Sequence, residues 1–233
     1  MQQVFRAQPL ALGGLAATAA GTVAMTALHL LPPSDRIDPI RRTISEYALH
    51  ETAWLFNLAV LSLALGALAI LLALARAKVV RPASLGGAGL LAWSAGLTAV
   101  VYFPKHNWTV GPSASGDIHR VASLAAFIGL PVAAIAIAWA WRHDNRWRVC
   151  ALWTLTCAVA ALLLLGVILG AFALQPVTGV RWWRIIPLGA VERGLGIAEV
   201  ATVFALGWWA WLTQRTGRSH PGGVEGNSVA LKA

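Results

Sequence analysis

Long apolar stretches alternate with short polar ones along the whole chain. A helix needs about 20 mostly apolar residues to cross a hydrocarbon layer roughly 30 Å thick. Six stretches meet that length, at about 10–31, 54–75, 85–103, 118–140, 149–174 and 191–212. The pattern predicts an all-α, polytopic integral membrane protein: one bundle of six transmembrane helices filling residues 1–212, with a polar, disordered cytoplasmic tail at 213–233. The first stretch is longer than the roughly 7–15 residues of a signal-peptide core, and Leu31-Pro32-Pro33-Ser34 after it is no small-x-small cleavage site. It therefore reads as a retained helix.

The longest connection, residues 32–53, carries a pattern of its own. Asp38 before Pro39 reads as an N-cap and a first helical residue. Ile40, Ile44 and Tyr47 would share a face, and Arg42 and Glu46 are spaced i,i+4 for an ion pair. A short amphipathic helix over 39–50, resting on the outer surface, is expected. Within the spans, small residues mark seams where helix backbones approach closely. These are Gly13, Ala17 and Gly21 in the first, Gly86, Gly87, Gly89, Ser94, Ala95 and Gly96 in the third, and Gly166 and Gly170 in the fifth. The same faces would serve contact with a second copy or with a partner membrane protein. Pro131 predicts a kink in the fourth helix. No internal repeat is visible, which weakens an inverted-repeat transporter reading.

Composition agrees with the pattern. The chain is 58% hydrophobic and 12% charged, against roughly 25% charged residues in soluble domains. That excludes a soluble enzyme, a disordered chain and a DNA-binding domain. The net charge of +9 comes from basic residues scattered in ones to threes, so no stripe exists for nucleic-acid phosphates to follow. Read as topology, ten basic residues fall on the termini and the even-numbered loops, and eight on the odd-numbered loops and their flanks. Both termini are placed in the cytoplasm, with the odd loops outside. Tryptophan, which favours the headgroup zone, marks the span ends. Trp54, Trp108, Trp182 and Trp183 would form an outer belt; Trp139, Trp141, Trp147, Trp208, Trp209 and Trp211 an inner one. Cys150 and Cys157 are seven apart on one helix, about 10 Å, too far for a disulfide.

Charged groups inside a bilayer cost several kcal/mol and tend to face the bundle interior and pair. Four segments supply such groups near the outer boundary. The first loop gives Ser45, Glu46, His50 and Glu51, with His29 at the end of the first helix. The second outer loop gives Lys105, His106 and Asn107; the fourth helix opens with Asp117, His119, Arg120 and Ser123; the sixth with Glu192, Arg193 and the deeper Glu199. His119 and Glu199 are the candidate proton-transfer groups, with Arg120 and His119 expected as partners of Glu199 if the fourth and sixth helices touch. Ser123 is a candidate nucleophile. Ser45, Glu46, His106, Asp117, Arg120, Glu192 and Arg193 are candidate ligand contacts. His50, His106 and His119 are the donor types zinc uses, yet no HxxxH or HExxH pair sets two ligands on one helix face. No cofactor is strongly implied. His29, His143 and His220 read as structural.

"RRTISEYA" at 41–48, "YFPKH" at 102–106, "GDIHRVAS" at 116–123 and "GAVERGLGIAE" at 189–199, in this order between six spans, resemble the bacterial membrane-protein family called domain of unknown function 998. The resemblance implies a six-helix fold in a bacterial plasma membrane with motifs at one face, and implies no activity. Three readings stay open: a pocket that binds a lipid headgroup or other amphiphile, an outward-facing lipid-modifying hydrolase or transferase working with or without a metal, and a non-catalytic structural or partner subunit. Membrane lipids are the expected partners under the first two.

Overall fold

The computed structural model describes residues 8–216; the expected tail lies almost wholly outside them. Six long helices make up the described chain: α1 (Gln8–Ala27), α2 (Ala53–Arg76), α3 (Leu85–Tyr102), α4 (Ala114–Trp141), α5 (Arg148–Thr178) and α6 (Leu188–Thr216). All six are long and apolar enough to cross a membrane, and no strand occurs among the described residues. Local chemistry sets the ends. Ser84 and Ser113 cap α3 and α4, accepting from the amides of Gly87 and Gly116 at 3.3 and 3.1 Å. The α5 helix runs past Pro176 and stops where Gly179 turns left-handed at φ 66°.

Short connections make sequential helices antiparallel neighbours. Each helix packs on the next, and α6 closes the ring against α1 while also touching α2 and α4. Loops 28–52, 103–113 and 179–187 thus gather at one end, called here the polar end. The core is built from Ile70, Leu74, Trp93, Leu130, Ile137 and Leu206, all buried. A second apolar cluster beneath the polar end joins Leu28, Tyr47, Phe56, Val60 and Val100, so the first loop is plugged into the bundle.

The seams lie partly where small residues predict them. Gly89 faces the Gly129 carbonyl, where a Cβ would come within 2.5 Å, and Gly96 faces the Ala122 carbonyl at 2.6 Å. On α1 the tight face is Gly14, Thr18 and Gly21 rather than the one containing Gly13. A Cβ on Gly66 of α2 would meet Thr18 Oγ1 at 2.6 Å and the Gly14 carbonyl at 2.9 Å. Gly13, Gly166 and Gly170 meet nothing within 4 Å. Those three stand on exposed faces, because helical period alone does not say which stripe turns inward. Two members of the expected inner tryptophan belt are core residues instead. Trp209 is fully buried against Trp141 and Trp147, and buried Trp141 donates to the Val79 carbonyl at 3.0 Å.

The expected surface helix over 39–50 is shorter and tighter, a 3-10 segment at Ile44–Leu49. Asp38 does cap a turn, accepting from the amides of Ile40 at 2.8 Å and Arg41 at 3.3 Å. The α-helix does not propagate because α6 takes the carbonyls of Pro39, Ile40 and Arg42. An α-helix would have given these to its own amides four residues on.

Replacing Gly66 by Val forces α1 and α2 apart and should cost about 1–3 kcal/mol, the usual range for overpacking. Gly166→Val should be close to neutral. Thermal unfolding of the two variants in one detergent checks this; equal losses would contradict the assignment of the seams.

Candidate functional site

The polar end is organised around Arg193, in the second turn of α6. Its Nε donates to His29 Nε2 at 2.8 Å. Its Nη1 reaches the carbonyls of Pro39, Arg42 and Gly189 at 2.8, 2.7 and 3.1 Å, and its Nη2 reaches the Tyr47 hydroxyl at 3.3 Å. His29 Nδ1 lies 2.9 Å from the Met25 carbonyl. Nδ1 must therefore donate there and Nε2 present its lone pair to Arg193, which fixes a neutral tautomer. The ring of Tyr47 packs edge-on against that of His29 at 5.3 Å.

The first loop can lie this close to α6 because of Gly189. A Cβ there would collide with the Arg42 carbonyl and stand 2.6 Å from that of Pro39. Beside it the Ala190 amide donates to the Ile40 carbonyl at 3.1 Å, and Glu192 Oε1 accepts from the Ile44 amide at 3.3 Å. The "VERG" stretch therefore binds the backbone of the "RRTISEYA" stretch.

A second tie comes from the loop after α3. Lys105 Nζ donates to Glu46 Oε2 and Thr43 Oγ1, both at 2.8 Å, and Thr43 Oγ1 lies 3.2 Å from Ser45 Oγ. Lys105 and Glu46 are mostly shielded, at 15% and 21% exposure, so this pair is worth more than a surface pair. Glu46 thus pairs with Lys105 and not with Arg42, whose side chain is exposed. Lys105, Arg193 and Glu46 all act on the charge of Glu192.

The opening of α4 forms a separate group. His106 fills the notch left by Gly116, where a Cβ would collide with its ring. Its Nδ1 accepts from the Ser113 amide at 3.0 Å, and its Nε2 faces Asp117 Oδ1 at 3.4 Å. His119, buried, has Nδ1 2.9 Å from the Phe103 carbonyl. Asp117 and Arg120 pair at 3.9 Å as the spacing suggests, but both are about two-thirds exposed and contribute little. His50 is exposed at the end of the 3-10 segment, and Ser123 is half-buried on α4. Among the described residues, no three His, Cys, Asp or Glu side chains lie together so as to hold a metal ion.

Glu199 stands apart from both groups. Neither Arg120 nor His119 is its partner: Glu199 Oε2 accepts from Trp93 Nε1 of α3 at 3.1 Å. Oε1 has no partner and the residue is 3% exposed. The reason is packing. The deeply placed face of α6 meets α3 through the indole, while α4 gives its polar first turns to the loop after α3. His29, Tyr47, Thr43, Lys105, Gly189 and Trp93 are the residues that spacing did not single out as site members. All but His29 and Trp93 lie inside the four motifs, and Trp93 sits mid-span on α3, away from any cluster of polar residues in the sequence.

The family described as "Protein of unknown function (DUF998)" matches residues 12–209. No curated protein and no solved structure matches the chain.

His29 yields a pH prediction. Burial, aided by the nearby charge of Arg193 and opposed by the Met25 carbonyl, holds its pKa below the usual 6.5. The unfolded chain therefore binds more protons than the folded one just below pH 6.5, so this contribution is present above pH 6.5 and is lost as pH falls. Thermal unfolding between pH 8 and 5 should show a smaller decline in His29→Gln than in the parent protein. Parallel declines would contradict the neutral tautomer.

Proposed function

This chain belongs to the DUF998 family, and from that premise we propose that it is a membrane protein that binds an amphiphile with an acidic headgroup at its polar end. The observation that carries the reading is how the positive charges there are used. Arg193 and Lys105 are spent on holding the first loop. Arg36, Arg41, Arg42, Arg120, Arg181 and Arg184 are exposed at the same end. Trp54, Trp108 and Trp183 are exposed beside them, and Arg181 lies over the Trp183 ring at 5.4 Å. Exposed indoles sit at headgroup level, so these guanidinium groups do too. A planar guanidinium fork matches phosphate oxygens in pairs.

The polar end faces outward in this reading, and the termini lie in the bacterial cytoplasm. Supporting this, the opposite end presents Arg76, Lys78, Arg81, Arg142, Arg146, Arg148 and Arg215 with Asp144 as the one acid among the described residues. The reading invokes binding without a covalent step. His106 and His119 each commit Nδ1 to a backbone group, and Ser123 is not the partner of the His119 Nδ1.

A basic side chain near an anionic surface contributes about 1 kcal/mol, so each arginine should be worth on the order of fivefold in lipid preference. Protein in nanodiscs mixing phosphatidylglycerol and phosphatidylcholine should enrich the former. A triple Arg41→Gln, Arg42→Gln, Arg120→Gln variant should lose most of that enrichment at unchanged thermal stability. Equal retention of both lipids by the parent, or undiminished enrichment in the variant, would overturn the reading.

A further inference from the structure

One buried acid takes no part in holding the polar end. Glu199 is the twelfth residue of α6, about 16 Å along the helix from its start at Leu188. That is roughly half of a 30 Å hydrocarbon layer. Its partner agrees on the depth, since Trp93 is mid-span on α3, nine residues before Tyr102. Two helices therefore place this carboxyl near the middle of the membrane.

No charged partner meets it there. Glu199 Oε2 accepts from Trp93 Nε1 at 3.1 Å, and Oε1 is buried with no partner. Among the described residues, α1 carries no acid or base, α2 only Arg76 at its far end, and α3 only Tyr102 at its polar end. On α4, Asp117, His119 and Arg120 lie in the first two turns. His119 is tied to Phe103, about 15 Å along α3 from Trp93. The acids and bases of α5 are Arg148, Cys150 and Cys157, all in the ten residues at its opposite end. In the 3-10 segment, Glu46 is held by Lys105 and Tyr47 by Arg193. On α6 itself, Glu192 stands about 10 Å nearer the polar end, Arg193 serves the first loop, and Arg215 is in the last turn. An ionised carboxylate with one hydrogen bond and no counter-charge is costly away from water, and such a group takes up a proton instead. Oε2 is then the carbonyl oxygen that accepts from the indole, and Oε1 carries the hydrogen.

A route to the polar end lies on the same stripe. Glu192, Gly196 and Glu199 are spaced i, i+4 and i+7, so they share one face of α6. Gly196 is half-buried, and outside its own helix a Cβ there would meet only Ile44 Cδ1, at 3.5 Å. Ile44 packs on the apolar cluster that includes Val100 of α3, seven residues from Trp93. The first loop thus stands between Glu199 and the water at the polar end. Side chains of α6 and of the loop after α3 hold it down, not an α-helix of its own. It is therefore a segment that opens locally without unfolding a span.

We propose that Glu199 is a proton-binding site: its carboxyl holds a proton on Oε1 while Ile44 covers Gly196, and exchanges it with water from the polar end when the first loop lifts. The proton leaves to a water molecule as hydronium, and the carboxylate keeps the indole hydrogen bond until a proton returns. A proton is favoured over a metal cation because one carboxyl beside an indole N–H offers too few oxygens to replace a hydration shell. The site is separate from the arginine rim and does not depend on the amphiphile reading.

The test is infrared spectroscopy of the full-length protein in dodecyl maltoside, a detergent without ester carbonyls, moved from H2O to D2O at pH 7. Exposed carboxyls are ionised at that pH, so the stretch of a protonated carboxyl reports buried acids alone. A band that is lost in Glu199→Gln, which keeps an acceptor for Trp93, and retained in Glu192→Gln is the expected result. In D2O that band should shift about tenfold faster in Ile44→Ala than in the parent, because truncating a packed isoleucine weakens the hold on the loop. Ile137→Ala, the same truncation in the buried core toward the opposite end, should leave the rate unchanged. Absence of the band from the parent would overturn the proposal. So would a band that never exchanges in Ile44→Ala, or one that exchanges equally fast in Ile137→Ala. Should Glu199→Gln fail to fold, peptide mapping of Ile44→Ala after dicyclohexylcarbodiimide, which adds to protonated carboxyls in apolar surroundings, makes the assignment instead. An adduct on Glu199 is expected, and its absence would equally overturn the proposal.

Discussion

One guanidinium group holds the polar end together. Arg193 joins α6 to the end of α1 through His29, to the first loop through two carbonyls, and to the plug residue Tyr47. Hydrogen bonds to a charged partner are roughly twice as strong as neutral ones, and here they replace the internal bonds an α-helix would have made over 39–50. The loop therefore takes its shape from the helix it lies on. Everything else at this end inherits that placement: Glu192 reads the Ile44 amide, Gly189 permits the contact, and Lys105 closes the loop from the side of α3.

That arrangement divides the charges into two populations. The shielded ones, Arg193, Lys105, Glu46 and Glu192, sit among one another and among backbone groups, where an unpaired charge would be costly. Exposed arginines and exposed tryptophans occupy the same end of the bundle. The acidic-amphiphile proposal rests on this division between charges that hold the loop and charges left at the surface.

Much of this was legible in the sequence. Apolar run length located all six spans, and the four motifs fell on the first loop, the loop after α3 and the openings of α4 and α6, because long uninterrupted apolar stretches and clustered charge are one-dimensional signals. Partners were less legible. Glu46 was assigned to Arg42 from i,i+4 spacing and is held by Lys105 59 residues away. Glu199 was assigned to α4 and is held by Trp93 of α3. The seam on α1 was placed on Gly13 and runs through Gly14. In each case spacing defines a face, but only the packing of a second helix decides which face turns inward, and that information is spread over the whole ring.

The most direct measurement is amide hydrogen exchange across residues 38–50 in the protein and in an Arg193→Lys variant, which keeps the charge but loses the fork that serves His29, Tyr47 and two carbonyls at once. Fast exchange at Ile44 and its neighbours, with α2 to α5 protected as before, is the result the clamp requires. Unchanged protection of the loop, or loosening spread evenly over the bundle, would contradict it.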